Sequence, residues 1–123
     1  METINVIVIN PNTNSVYSHV VDKSKGLQDY YVTLDCRSFD IVRLDDKNDV
    51  YVDDEGLFTL THETRFFSIE GGYQPLAGVG IVAGVNHENG ETISTTLSVE
   101  EVRAKVKFHS IREVMEMEEA NRR

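Results

Sequence analysis

The chain has 123 residues, with 12 Lys and Arg against 21 Asp and Glu and a formal charge of −9. That length holds one domain around one core, and 40% apolar against 27% charged residues is the composition of a folded chain. The single cysteine excludes an internal disulfide framework, and the negative balance disfavours general nucleic-acid binding, which requires a cationic surface.

Ile4 to Ile9 is a nearly continuous β-branched run, which predicts a strand buried on both faces. The Asn-rich cluster around Pro11 predicts a turn. Val16 to Val21 then returns antiparallel, with Val16, Ser18 and Val20 on one face and Tyr17, His19 and Val21 on the other. Lys23 to Asp29 reads as a loop, or a short helix leading into Tyr30 to Cys36. Strands are expected over Phe39 to Leu44 and Asp49 to Val52, with acidic turns at Asp45 to Asn48 and Asp53 to Gly56. Leu57 to Leu60 and Thr64 to Ile69 are further extended segments, and Gly71 to Leu76 is a loop. Ala77 to Val85 reads as one apolar strand whose glycines at 78, 80 and 84 mark bulges or close backbone approach. Asn89-Gly90 predicts a hairpin turn, with Thr92 to Leu97 as the return strand.

The pattern changes at Ser98. Ser98 to Glu101 and Ser110 to Glu113 both have capping-box spacing, so each predicts a helix start. Val99, Val102 and Val106 share one helical face, and Ile111, Val114, Met115 and Met117 form a second apolar strip. The expected fold class is α+β, a mainly antiparallel β-sheet domain with one or two C-terminal helices. Residues 1–109 form the β-rich domain, and 110–123 are a helical extension, part of the same domain or an oligomer joint. A helix this short needs a cover for its strip, which points to a homo-oligomer.

Few residues carry a chemical signature. Asp45, Asp46, Asp49, Asp53, Asp54 and Glu55 could offer oxygen ligands, but their order is not that of an EF-hand, and turn chemistry accounts for them. His62-Glu63 begins like a zincin helix and lacks its second histidine. Cys36 has no base that the sequence identifies. The Gly78 to Gly84 stretch lacks the Lys-Ser/Thr and the following helix of a phosphate loop. No catalytic residue, metal ligand or cofactor is therefore assigned. Arg65-Phe66-Phe67 with Tyr73-Gln74 is the best ligand candidate: rings stack on a base, arginine clamps phosphate, and glutamine reads a base edge. Strand alternation leaves one phenylalanine in the core and the other accessible or at an interface, and Arg112 is a second phosphate contact.

Four phrases taken together resemble a family of small phage and prophage proteins carrying a domain of unknown function. They are Asp35 to Phe39, Tyr51 to Leu57, Tyr73 to Gly78 and Gly84 to Glu91, and the resemblance spans about Ile4 to Phe108. It implies a viral or prophage accessory protein and supplies no catalytic residues. In that setting the expected function is non-enzymatic: binding a host defence protein or a small signalling nucleotide and countering antiviral defence. The alternatives are a small nucleotide-processing enzyme and a structural or assembly protein. Met1-Glu2-Thr3 opens no signal peptide and no apolar run spans a bilayer, so the expected location is the cytoplasm, that of the host cell if phage-encoded, with no membrane partner.

Overall fold

The computed structural model describes residues 2–57, 59–71 and 74–121. It is an α+β fold in which, among the described residues, every strand pairing is antiparallel. In chain order the elements are β1 (Thr3–Asn10), β2 (Ser15–Asp22), a 3-10 turn (Lys23–Lys25), α1 (Gln28–Leu34), β3 (Phe39–Arg43), β4 (Asn48–Asp53) and β5 (Arg65–Ile69). Then follow β6 (Leu76–Ala77), β7 (Gly80–Val85), β8 (Thr92–Ile93), α2 (Val99–Lys105), β9 (Val106–Ser110) and α3 (Ile111–Asn121). The larger sheet runs β2-β1-β7-β4-β3, with β8 also on β7, and the smaller sheet runs β6-β5-β9.

Alternation along the strands builds two cores on the two faces of the larger sheet. Ile4, Val6, Val8, Tyr51, Ile81 and Ala83 face α1, where Tyr30 and Leu34 cover them. Tyr30, Tyr31, Phe39 and Tyr51 form an aromatic cluster there, with Phe39 and Tyr51 stacked at 5.3 Å and 15°. Burial, with the nearby Tyr51 and Asp29, pushes the Tyr30 phenol up to about 12. On the opposite face Ile7, Ile9, Val50, Val52 and Val82 meet Phe67 and Ile69 of the smaller sheet and Val102 of α2. The smaller sheet's far side carries Phe66 and Ala77, covered by Val114 of α3.

Three expectations are corrected. Ala77 to Val85 is not one strand: Gly78, at φ 79°, turns the chain out of the smaller sheet so that β7 can enter the larger one. Thr92 to Leu97 pairs only over Thr92–Ile93, because Ser94 and Thr95 bond to Asn5, while Asn48 takes Thr95 and Thr96. Leu57 to Leu60 forms no strand among the described residues, Phe58 lying outside them. Both capping boxes form. Between their helices stands β9, which the helical reading of Val106 did not anticipate. The α3 strip is divided: Val114 and Ile111 pack within the chain, while Met115 and Met117 are exposed.

Two close contacts on β7 leave no room for a side chain, one to the smaller sheet and one to the segment after β8. A Cβ on Gly80 would lie 2.5 Å from the Phe67 ring, and one on Gly84 would lie 2.3 Å from the Ser94 carbonyl oxygen. Asn48 is fully buried and bonds to Asp45, Thr95 and Thr96, tying the β3–β4 turn to the segment before α2. Burial disfavours the charge on Asp45, yet the Lys47 N–H, the Asn48 side chain and the Asn48 N–H together hold its carboxyl below the ordinary 3.8.

Gly80→Ala and Gly84→Ala are each expected to cost about 1–3 kcal/mol through overpacking, read as a lower denaturation midpoint with an unchanged slope. A lowered folded pKa stabilises above the ordinary value and loses that contribution as pH falls through the folded value. Asp45→Asn should therefore be less stable than wild type at neutral pH, with the difference shrinking below about pH 4.

Candidate functional site

β3 and β4 end the larger sheet, and their alternation turns Val42, Val50 and Val52 away from α1 and toward the smaller sheet. The smaller sheet does not cover them fully. What remains is an apolar groove with two lobes. The inner lobe, about 110 Å³, is lined by Val42, Arg43, Leu44, Val50, Ile69, Gln74 and Leu76. The outer lobe, about 170 Å³, lies among Asp40, Val42, Val52, the turn residues Asp53, Asp54, Gly56 and Leu57, and the segment from Gln74 to Ala77. Val42, Gln74 and Leu76 belong to both.

Local chemistry explains the walls. The Asp53 side chain accepts from the Glu55 N–H at 2.9 Å, closing the acidic turn. Gly56 lets that turn approach β6, since a Cβ there would stand 3.3 Å from the Ala77 Cβ. Ser38 donates to Asp54, and Arg37 pairs with Glu55 at 2.7 Å. Asp40, Asp53 and Asp54 make the rim acidic, and Leu57 stands 61% exposed beside them. The floor can receive an aliphatic or aromatic side chain, and the rim can receive its cationic neighbours. Neither lobe reaches the ~300–1,000 Å³ of a pocket that engulfs a small organic ligand.

The described residues singled out from sequence stand in different surroundings. Phe66 and Phe67 take opposite faces as alternation demands, but both are buried, at 2% and 0% exposure. The expected accessible ring is absent: Phe66 is covered by α3 and Phe67 packs against Gly80. Arg65 is engaged with the β1–β2 turn, its Nε donating to the Pro11 carbonyl at 3.3 Å and Nη2 to the Asn14 side chain at 3.0 Å. Arg112 lies on the exposed side of α3, 3.6 Å from Glu116. Tyr73 lies outside the described residues. Gln74 is exposed and lines the groove.

One polar trio went unnoticed in the sequence. Ser68 Oγ and His109 Nε2 are 2.8 Å apart on neighbouring strands, with Glu113 Oε2 3.8 Å from Nδ1. Glu113 Oε1 accepts from the Ser110 N–H in the cap of α3, so the trio reads as a satisfied strand–helix joint. Among the described residues no group of three metal-ligating side chains is found, and no helix is long and apolar enough to cross a membrane.

Cys36 packs against the aromatic core rather than a base. Burial raises its pKa first, and the carboxylates of Asp53, Asp54 and Asp35 add to the effect. The thiol should therefore react several-fold more slowly with iodoacetamide at neutral pH than N-acetylcysteine does. Equal rates would mean a thiol that burial and the neighbouring carboxylates do not perturb, and a faster rate would mean an activated one.

Two of the phrases that carry the family resemblance, Tyr51 to Leu57 and Tyr73 to Gly78, contribute the outer lobe's walls. No curated protein and no solved structure matches the chain. A family profile described as Domain of unknown function (DUF3846) matches residues 4–108, from the start of β1 to the middle of β9, leaving α3 outside. The chain belongs to this DUF3846 family.

Proposed function

We propose that the chain is a non-enzymatic accessory protein of a phage or prophage that binds a host protein in the host cytoplasm and blunts antiviral defence. The phage setting rests on the resemblance, and the groove carries the binding reading. An apolar floor with an acidic rim suits a partner segment that inserts one large apolar side chain flanked by Lys or Arg. A protein partner is favoured over a nucleotide signal. Both phenylalanine rings are buried, Arg65 holds the β1–β2 turn, and the lobes are small.

Immobilised full-length protein and a Leu57→Glu variant, incubated with host lysate, test the reading. Leu57 is exposed, so the substitution leaves the core intact. The expected result is one stoichiometric host protein held by the wild type and bound at least about tenfold more weakly by the variant. Equal retention would reject the groove. Saturable calorimetric binding across a panel of signalling nucleotides, without a protein partner, would restore the nucleotide reading, and turnover of any of them would favour an enzyme.

A further inference from the structure

Each outer edge of the larger sheet has one outward backbone group capped by a side chain, at the centre of β3 and at the start of β2. On β3, Leu44 donates to Asn48 and Ser38 accepts from Asp54, so the even-numbered residues bond toward β4 and the odd ones point outward. The outward N–H of Ile41 is taken at 2.9 Å by the side chain of Asp40. A neighbouring carboxylate thus blunts that edge.

On β2 the outward residues are the even ones. Lys23 donates to Glu2, and Asn5 bonds away from β2 to Ser94 and Thr95, which fixes the phase of β1 and, through the register, of β2. Val16, Ser18 and Val20 therefore present both backbone groups to the outside, and Asp22 presents its N–H, its carbonyl being taken by the 3-10 turn that it caps. Arg103 of α2 caps the first of these, donating to the Val16 carbonyl at 3.1 Å. Among the described residues nothing bonds to the outward groups of Ser18 and Val20 or to the Asp22 N–H, and Val20 is 56% exposed.

We propose that this open edge of β2 is a self-association surface, pairing antiparallel with β2 of a second copy about a two-fold axis at Val20. An antiparallel hydrogen-bonded pair requires outward groups on both members, and reflection through Val20 pairs even residues only with even ones. Val20 then exchanges N–H···O bonds with its own copy. Ser18 meets the second copy's Asp22, whose N–H donates to the Ser18 carbonyl, while the Asp22 carboxylate stays with Ser24. The two Val20 side chains come side by side on the face that also carries Val16, a contact of the kind that stabilises strand pairs. Reflection places Val16 beyond the end of the paired stretch, so the Arg103 bond survives. The second copy is the favoured occupant because the donor and acceptor pattern is complementary to itself, with no partner-specific pocket. The joint is separate from α3, where the sequence had suggested one, and lies at the opposite end of the sheet from the groove.

Full-length protein examined by light scattering over a range of concentrations should approach twice the chain mass. Val20→Lys should return it to monomer with its circular dichroism unchanged, while Met115→Glu and Leu57→Glu leave the dimer intact. In the wild type, NMR hydrogen exchange should show the Val20 and Asp22 amides protected in proportion to dimer content. A protein that stays monomeric at high micromolar concentration overturns the proposal. So does a dimer that persists in Val20→Lys, or one lost in Met115→Glu. Mass is read without any host partner, so failure here is distinct from failure of the groove.

Discussion

The contact between the Phe67 ring and Gly80 sets the spacing of the whole molecule. Phe67 is fully buried and projects from the smaller sheet onto the middle of the larger one, where only a residue without a side chain leaves it room. Around that point Ile69, Val50, Val82 and Val102 close the second core. The approach is tight at Gly80 and opens toward β3, where β6 is only two residues long. The groove is that opening, so its depth follows from a packing constraint several residues away.

Much of the β framework was legible because each strand has a buried face and a period of two. β1 and β2 also carry clear turn residues, and both helix starts near the C-terminus have capping boxes whose chemistry is local. β9 was hidden because Val106 continues the helical spacing of Val99 and Val102, and only pairing with β5 reveals it as a strand. The break at Gly78 was hidden for a different reason. Glycine was read as a sign of close approach, but which glycine takes a positive φ depends on where the two sheets lie.

The ligand residues were harder still. Stacking and phosphate chemistry groups Arg65, Phe66 and Phe67, and strand alternation predicts one accessible ring, but both faces of β5 are covered, which only the tertiary packing shows. The groove instead draws on β3, β4 with its acidic turn, Ile69 of β5 and the segment from Gln74 to Ala77, and of the expected ligand contacts Gln74 lines it. The usable signal is Leu57, a large apolar residue directly after an acidic turn. The aromatic cluster of Tyr30, Tyr31, Phe39 and Tyr51 was missed because its members come from a helix and two strands.

The position of β7 bears on how the chain acquires its structure. β7 is the central strand, flanked by β1 on one side and β4 on the other, yet it begins only at Gly80. The hairpins β1–β2 and β3–β4 are local and can form as soon as their turns exist. Each must then wait, with one edge rich in Val and Ile unpaired, for a strand made much later. During synthesis from the N-terminus, that interval exposes two apolar edges able to pair with each other or with another chain. Long-range closure by β7 makes this a slow-folding topology for its size, and the wait for the central strand is its most vulnerable moment.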